Sequence, residues 1–327
     1  MFYTDALIAE MAVALRAVLH RWGLASSAPL RLLTVSENAT WVAGEAASAR
    51  VLRVQRPGYN TDAAIASELV WIAALRAAGV VATPAPIPAG DGEATVPITC
   101  GGMRFLVAGF EYVEGHAPSE QGDLARWFAH LGEITARLHQ FSRAWTRPEG
   151  FERRYWDFRA ICGPASDWGD WRAQPGLDDE AIALLSQVEA DLAARVAVYD
   201  ADPRRRGLIH CDMRTANLLV DGDRMSVIDF DDCGIGWFAF DFAASTSFMD
   251  PAAIWPLLPH WIAGYERVAP FAEADRAILP TFVMLRRLQL VGWIASHSEA
   301  AEPQAIGPDF TRHTVEMGRD WLEKTRP

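Results

Sequence analysis

The chain has 327 residues, half of them hydrophobic and 22% charged. That balance belongs to a folded protein and excludes a disordered tail, a coiled coil or a collagen-like chain. At roughly 100–200 residues per domain, two domains or one domain with two lobes are expected. A formal net charge of −12 repels phosphate backbones and anionic lipid surfaces, so neither nucleic acid nor membrane is an expected partner. The four cysteines, Cys100, Cys162, Cys211 and Cys233, form no C-x-x-C pair and read as reduced thiols of a cytoplasmic protein.

An amphipathic helix opens the chain from Asp5 to Trp22. Glu10 and Arg16 interrupt it, which argues against a signal peptide. No run reaches the ~18–20 uninterrupted apolar residues of a membrane span. Three short runs rich in β-branched and apolar residues follow, at Leu30–Val35, Thr40–Ala43 and Ala49–Val54, and read as strands. Thr61 or Asp62 caps a helix to about Ala78, with Ile65, Leu69, Ile72 and Leu75 at helical spacing. Asp91-Gly92 suggests a hairpin turn, and Arg104–Val107 a buried strand. From Asp123 helices dominate: one to about Phe141, one opened by Asp178-Asp179-Glu180 and reaching Tyr199, then three or four after Trp237. Short strands at Leu218–Val220 and Met225–Ile228 flank Asp221-Gly222-Asp223. The class expected is α+β, a small antiparallel sheet in residues 1–112 followed by a mainly helical part in 113–327.

The polar residues that stand out sit among apolar strands. Leu208-Ile-His-Cys-Asp-Met-Arg-Thr-Ala-Asn-Leu-Leu-Val220 carries Asp212 and Asn217, and Ile228-Asp-Phe-Asp-Asp232 follows shortly after. An amide oxygen from Asn217 and a carboxylate from Asp229 make an oxygen-rich pair suited to Mg²⁺. Asp212 then remains to orient a hydroxyl and accept its proton. His210 reads as a structural histidine. Asp221-Gly222-Asp223 lacks the twelve-residue calcium pattern and reads as a turn.

His210-Cys-Asp212-(four residues)-Asn217 and Ile228-Asp-Phe-Asp231 resemble the catalytic and metal-binding segments of the aminoglycoside phosphotransferase/choline kinase family, a branch of the protein-kinase-like fold. Gly234-x-Gly236-x-x-x-x-Asp241 resembles the segment whose Asp supports the catalytic loop. Val51–Val54 resembles the third strand, Ser67-Glu68-Leu69 the helix that pairs with it, and Phe105–Gly115 the hinge. The resemblance spans roughly residues 25–300. It implies a two-lobed kinase fold, ATP and Mg²⁺ as cofactors, Asp212 as catalytic base, and Asn217 and Asp229 as metal ligands. It further implies that Arg53, held by Glu68, grips the nucleotide phosphates, that Ser36, Asn38 and Thr40 cover them, and that Glu111 and Val113 meet the adenine. Arg53 stands where many antibiotic kinases have Lys, the phosphate-covering segment has no glycine, Cys211 replaces a frequent Gly, and Arg214 falls where His is common.

The activity expected is transfer of the γ-phosphate to a hydroxyl of a small molecule. A protein serine/threonine kinase and a nucleotide-binding pseudokinase are the alternatives. Arg214, Asp231, Asp232 and Trp237 are candidate acceptor contacts, with an aromatic wall around Tyr155–Trp171. The carboxylates Asp231, Asp232 and Asp157 favour a cationic or zwitterionic acceptor such as an amino alcohol, an aminoglycoside or homoserine. The oligomeric state is not legible in the sequence.

Overall fold

The computed structural model describes residues 2–119, 122–299 and 301–325. The chain forms two compact units. One comprises residues 1–116, 146–153 and 219–231, the other 117–145, 154–218 and 232–327.

The first unit is built on a six-stranded antiparallel sheet of β1 (Leu30–Val35), β2 (Ala39–Ala43), β3 (Arg50–Gln55), β4 (Pro86–Ile87), β5 (Thr95–Cys100) and β6 (Met103–Glu111). Strand order is β1-β2-β3-β6. The nine-residue β6 pairs along its other edge with β5 and, further on, with β4. Asp91-Gly92 does lie in a tight turn, closed by Ala89 N–H on the Glu93 carbonyl and Gly92 N–H on the Ala89 carbonyl, but the β5–β6 hairpin turns at Gly101-Gly102, both with positive φ. Two consecutive left-handed residues match the twist of the strands they join, and glycine adopts them without a Cβ clash. Thr95–Cys100, whose residues alternate between exposed and buried, was hidden in the sequence by Pro97.

Helix α1 (Asp5–Val18) tightens into a 3-10 turn over Leu19–Trp22. Its apolar stripe, Leu7, Met11, Leu15, Leu19 and Trp22, buries against Trp41, Leu52, Val96, Ile98, Phe105 and Val107 of the sheet. Helix α2 (Asp62–Ala77) begins at Thr61, whose side chain accepts from Ala64 N–H, the N-cap arrangement expected of a threonine.

The second unit is mainly helical: α3 (Leu124–Ala144), α4 (Phe158–Ile161), α5 (Asp179–Tyr199), α6 (Phe240–Ser245), α7 (Pro251–Tyr265), α8 (Glu273–Ser296) and α9 (Ala301–Thr325). Asp123 and Asp178 cap α3 and α5 through their side chains. Strands β7 (Arg206–Ile209) and β10 (Gly234–Trp237) pair antiparallel in this unit, whereas the pair of β8 (Leu218–Asp221) with β9 (Arg224–Val227) belongs, from residue 219 on, to the first unit. Helices α3 and α7 approach closely where Gly132 faces the Trp261 carbonyl and Gly264 faces that of Ala129. A Cβ on either glycine would lie within 2 Å of the facing oxygen. Among the described residues one helix, α8, is long and apolar enough to cross a membrane, and most of it is buried inside the protein. That burial explains a long apolar helix that nevertheless carries Arg286 and Arg287 in its core-facing part.

Candidate active site

In the first unit, β3 delivers Arg53 to Glu68 of α2. The Arg53 Nη2 donates to Glu68 Oε1 at 2.7 Å and Oε2 at 2.6 Å. Both side chains are almost wholly buried. The segment after β9 brings Asp229 to the same guanidinium, with Arg53 Nη1 to Asp229 Oδ1 at 3.3 Å. Phe110 lies beneath the guanidinium, 5.1 Å from ring centroid to Cζ. Burial alone disfavours the charge, yet the carboxylates of Glu68, Asp231 and Asp229 outweigh it and hold Arg53 above its ordinary pKa. It is a permanently charged fork fixed by opposite charges. Asp229 itself has φ +64°, a left-handed conformation that Asp tolerates better than most residues.

Asn38 of the β1–β2 connection is buried. Its Nδ2 donates to Asp231 Oδ2 at 2.7 Å and its Oδ1 accepts from Arg56 N–H at 3.1 Å. Ser36 N–H bonds the Asn38 carbonyl, and Thr40 lies opposite Arg53 in the β2–β3 register. Asp231 is thus tied to Asn38, and its carbonyl accepts from Asn60 and Arg153. Glu111 ends β6 with its N–H on the Ala85 carbonyl and its side chain 3.4 Å from Arg76. Glu111 and Val113 line a cavity of about 440 Å³, together with Arg76, Thr83, Leu219 and Arg224.

In the second unit, β7 runs into the segment carrying Asp212. Cys211 has φ +69°, which accounts for the glycine common at such a position. Its N–H donates to Asp241 Oδ1 at 2.8 Å. Asp241 Oδ2 meets His139 Nε2 at 3.0 Å, and His139 Nδ1 meets the Tyr265 hydroxyl at 3.1 Å. Burial pushes the His139 pKa down despite Asp241, so the imidazole is neutral. Its partners then assign the tautomer: Nε2–H donates to the carboxylate and Nδ1 accepts from Tyr265 O–H. Burial also pushes the Cys211 thiol well up, which makes it a poor nucleophile.

Asn217 closes a 3-10 turn, and its Nδ2 donates to both the Asp212 carbonyl and Asp212 Oδ2 at 2.8 Å. This fixes the amide with Nδ2, and not Oδ1, turned toward Asp212. Arg214 Nε stands 3.6 Å from Asp212 Oδ2, with its guanidinium over the Phe248 ring. A residue that the sequence motifs did not single out completes the group: Arg286 of α8 donates from Nη2 to Asp212 Oδ1 at 2.5 Å. Its only sequence signal is a pair of arginines inside an apolar helix.

The acceptor-side residues are distributed differently from the aromatic-wall expectation. Trp168 lies against Arg286, 4.7 Å from ring centroid to guanidinium carbon, and so reaches the Asp212 group. Trp171 instead donates to Glu189 and stacks with Arg172. Trp237 is buried, donating to Asp200 and stacking on Phe282. The Asp232 carbonyl accepts from Trp156, and Asp157 caps α4. Among the described residues no cluster of three or more His, Cys, Asp or Glu side chains is arranged to hold a metal by itself.

An Arg–Glu pair between a strand and helix of a small antiparallel sheet, with an Asp–Asn loop set in helices, defines the two-lobed α+β protein-kinase-like class. Residues 31–277 match the model of the phosphotransferase enzyme family, and the chain belongs to that family: it is a kinase with an alcohol group as acceptor. It is 37% identical to a structurally characterised microcompartment-associated aminopropanol kinase, over 94% of this chain and 97% of that one, with a TM-score of 0.87. A homoserine kinase of Methylobacterium radiotolerans is 32% identical over 61% of this chain, an alignment that spans 59% of that protein's length. An amicoumacin kinase solved with AMP-PNP and Ca²⁺ shares the fold at 20% identity and a TM-score of 0.74, over 96% of this chain and 94% of that one.

Proposed function

We propose that the protein transfers the γ-phosphoryl group of ATP to the hydroxyl of a small amine-bearing alcohol, an amino alcohol or a hydroxylated amino acid, in the cytoplasm. The observation that carries the reading is the Asp212–Asn217 pair. One carboxylate is held rigidly at the end of β7 beside an amide whose carbonyl is aimed away from it. The likeness to an aminopropanol kinase over nearly the whole chain and to homoserine kinases over part of it supports the acceptor class. In this reading residues 1–112 form the nucleotide-binding lobe and 113–327 the catalytic and acceptor-binding lobe.

Phosphoryl transfer asks a protein for positioning and charge neutralisation more than for covalent chemistry. Asp212 orients the acceptor hydroxyl and takes its proton as the bond to phosphorus forms. Arg53, kept in place by Glu68, holds the nucleotide phosphates, with Ser36, Asn38 and Thr40 over them and Glu111 and Val113 toward the base. Asn217 and Asp229 fit Mg²⁺ as hard oxygen ligands. When bound, the ion neutralises phosphate charge. Arg214, next to Asp212, faces the transferring group.

A coupled ADP-release assay over aminopropanol, ethanolamine, choline, homoserine and an aminoglycoside, with a protein substrate as control, tests the proposal. Turnover on an amine-bearing small alcohol that needs Mg²⁺ is the expected result. Phosphorylation of the protein alone supports the protein-kinase alternative. Nucleotide binding without turnover on any acceptor supports the pseudokinase.

A further inference from the structure

Arg286 has no role in the kinase motifs, yet its surroundings are built around one geometry. Its side chain is 2% exposed. Three of its nitrogens point in three directions, and each has a partner: Nε donates to Ser247 Oγ at 2.9 Å, Nη1 to Gln289 Oε1 at 2.9 Å, and Nη2 to Asp212 Oδ1 at 2.5 Å. Trp168 covers the guanidinium face. Gln289 lies one helical turn further along α8. Ser247 is itself anchored on the Ala244 carbonyl. The fork is thus fixed at two nitrogens and one face before it reaches the carboxylate.

We propose that Arg286 is a positioning residue for phosphoryl transfer, a rigid fork that sets the direction of the Asp212 carboxylate. The proposal rests on the reading of Asp212 as the group that accepts the hydroxyl proton. A carboxylate on a short loop turns about two side-chain torsions. Asn217 restrains only Oδ2, and Arg286 restrains Oδ1. With a hydrogen bond on each oxygen, and Arg214 farther off at 3.6 Å from Oδ2, the plane is defined and each oxygen keeps a further lone pair for the acceptor. The bond to Arg286 also matches a buried cation with an anion, which accounts for the retention of both charges in an apolar helix setting. Lysine could supply the charge but not the three fixed directions.

The test measures kcat and KM for ATP and for aminopropanol and homoserine. The proteins are wild type, Arg286→Lys, Arg286→Met, Asp212→Asn and the double variant Asp212→Asn/Arg286→Met, with crystal structures of wild type and Arg286→Met. Misplacement of a reacting group by about 1 Å can reduce rate by about 10²-fold, so Arg286→Met is expected to lower kcat by roughly that factor while KM for ATP stays within about twofold. The Asp212 carboxylate should rotate, Arg286→Lys should recover part of the rate, and the double variant should be no slower than Asp212→Asn, because both changes act through one group.

The proposal is overturned if Asp212 keeps its orientation and kcat stays within about threefold of wild type, or if the double variant loses both factors in full. If Arg286→Met does not fold, Arg286→Lys and the double variant built on it decide by the same criteria. Wild-type inactivity on both acceptors refutes their assignment, and the orientation of Asp212 in the Arg286→Met crystal then decides the role of Arg286. Wild-type turnover by Asp212→Asn overturns both readings.

Discussion

Charge burial at single residues is the strongest physical constraint in this molecule. Glu68 is wholly inaccessible and receives two hydrogen bonds from an Arg53 that is nearly so. Two ions leave water only where each satisfies the other, and removing one partner strands the other. Glu68→Ala is therefore expected to destabilise the fold by about 3–5 kcal/mol, the range for breaking a buried pair. Equilibrium denaturation measures it, and a loss below about 1 kcal/mol, the scale of a surface pair, would show that Asp229 alone satisfies Arg53. Arg53 and Glu68 were legible in the sequence because strand and helix each carry a local motif fifteen residues apart. Arg286 was not. It lies 74 residues beyond Asp212 on an apolar helix, and only the tertiary fold brings them together. His139 escaped for the same reason, since its partner Asp241 is 102 residues away.

Among elements, the junction of α3, α6 and α7 decides how the Asp212 segment is held. His139 of α3 bridges Asp241 of α6 and Tyr265 of α7, and Asp241 holds Cys211 N–H in turn. Because burial places the His139 pKa below its ordinary 6.5, the unfolded chain binds this proton more readily than the folded one. Stability from this histidine is thus present above pH 6.5 and is lost as pH falls toward the folded value. His139→Gln should flatten that part of the stability–pH curve in urea titrations at several pH values, and an unaltered slope below pH 6.5 would refute it. The same helices meet through Gly132 and Gly264, where a Cβ would strike a facing carbonyl. Gly132→Ala is expected to destabilise by about 1–3 kcal/mol, the range for overpacking, and a Tm equal to wild type would contradict the close approach. Helix limits were legible from their caps, because Thr61, Asp123 and Asp178 each bond the first turn through their own side chain. The apolar run into His210 marked β7 (Arg206–Ile209), whereas the short strands β4 and β10 have no such local device. β10 pairs with β7 across 24 or more intervening residues, a partner that no short window of sequence contains.

For the whole molecule, net charge and ligand charge oppose each other. A chain of net charge −12 repels a polyanionic nucleotide at long range, so the nucleotide binding proposed above requires local cations such as Arg53 and a metal that neutralises the phosphates. Binding to the folded state alone raises stability by about 2.7 kcal/mol when the ligand is at a hundred times its Kd. ATP with Mg²⁺ is therefore expected to raise Tm markedly, and ATP with EDTA by much less. Asp229→Ala should lose the difference between the two conditions while keeping the Tm of the unliganded protein to within a few degrees. Although Asp229 also meets Arg53, that contact is the longer one and Glu68 retains the guanidinium, so a collapse of the apo protein is not expected. An undiminished Mg²⁺-dependent shift in Asp229→Ala would remove Asp229 from the metal site. A loss of the shift with EDTA as well would make it a nucleotide contact instead of a metal ligand. The two measurements separate these roles because the first follows the ion and the second follows the phosphates.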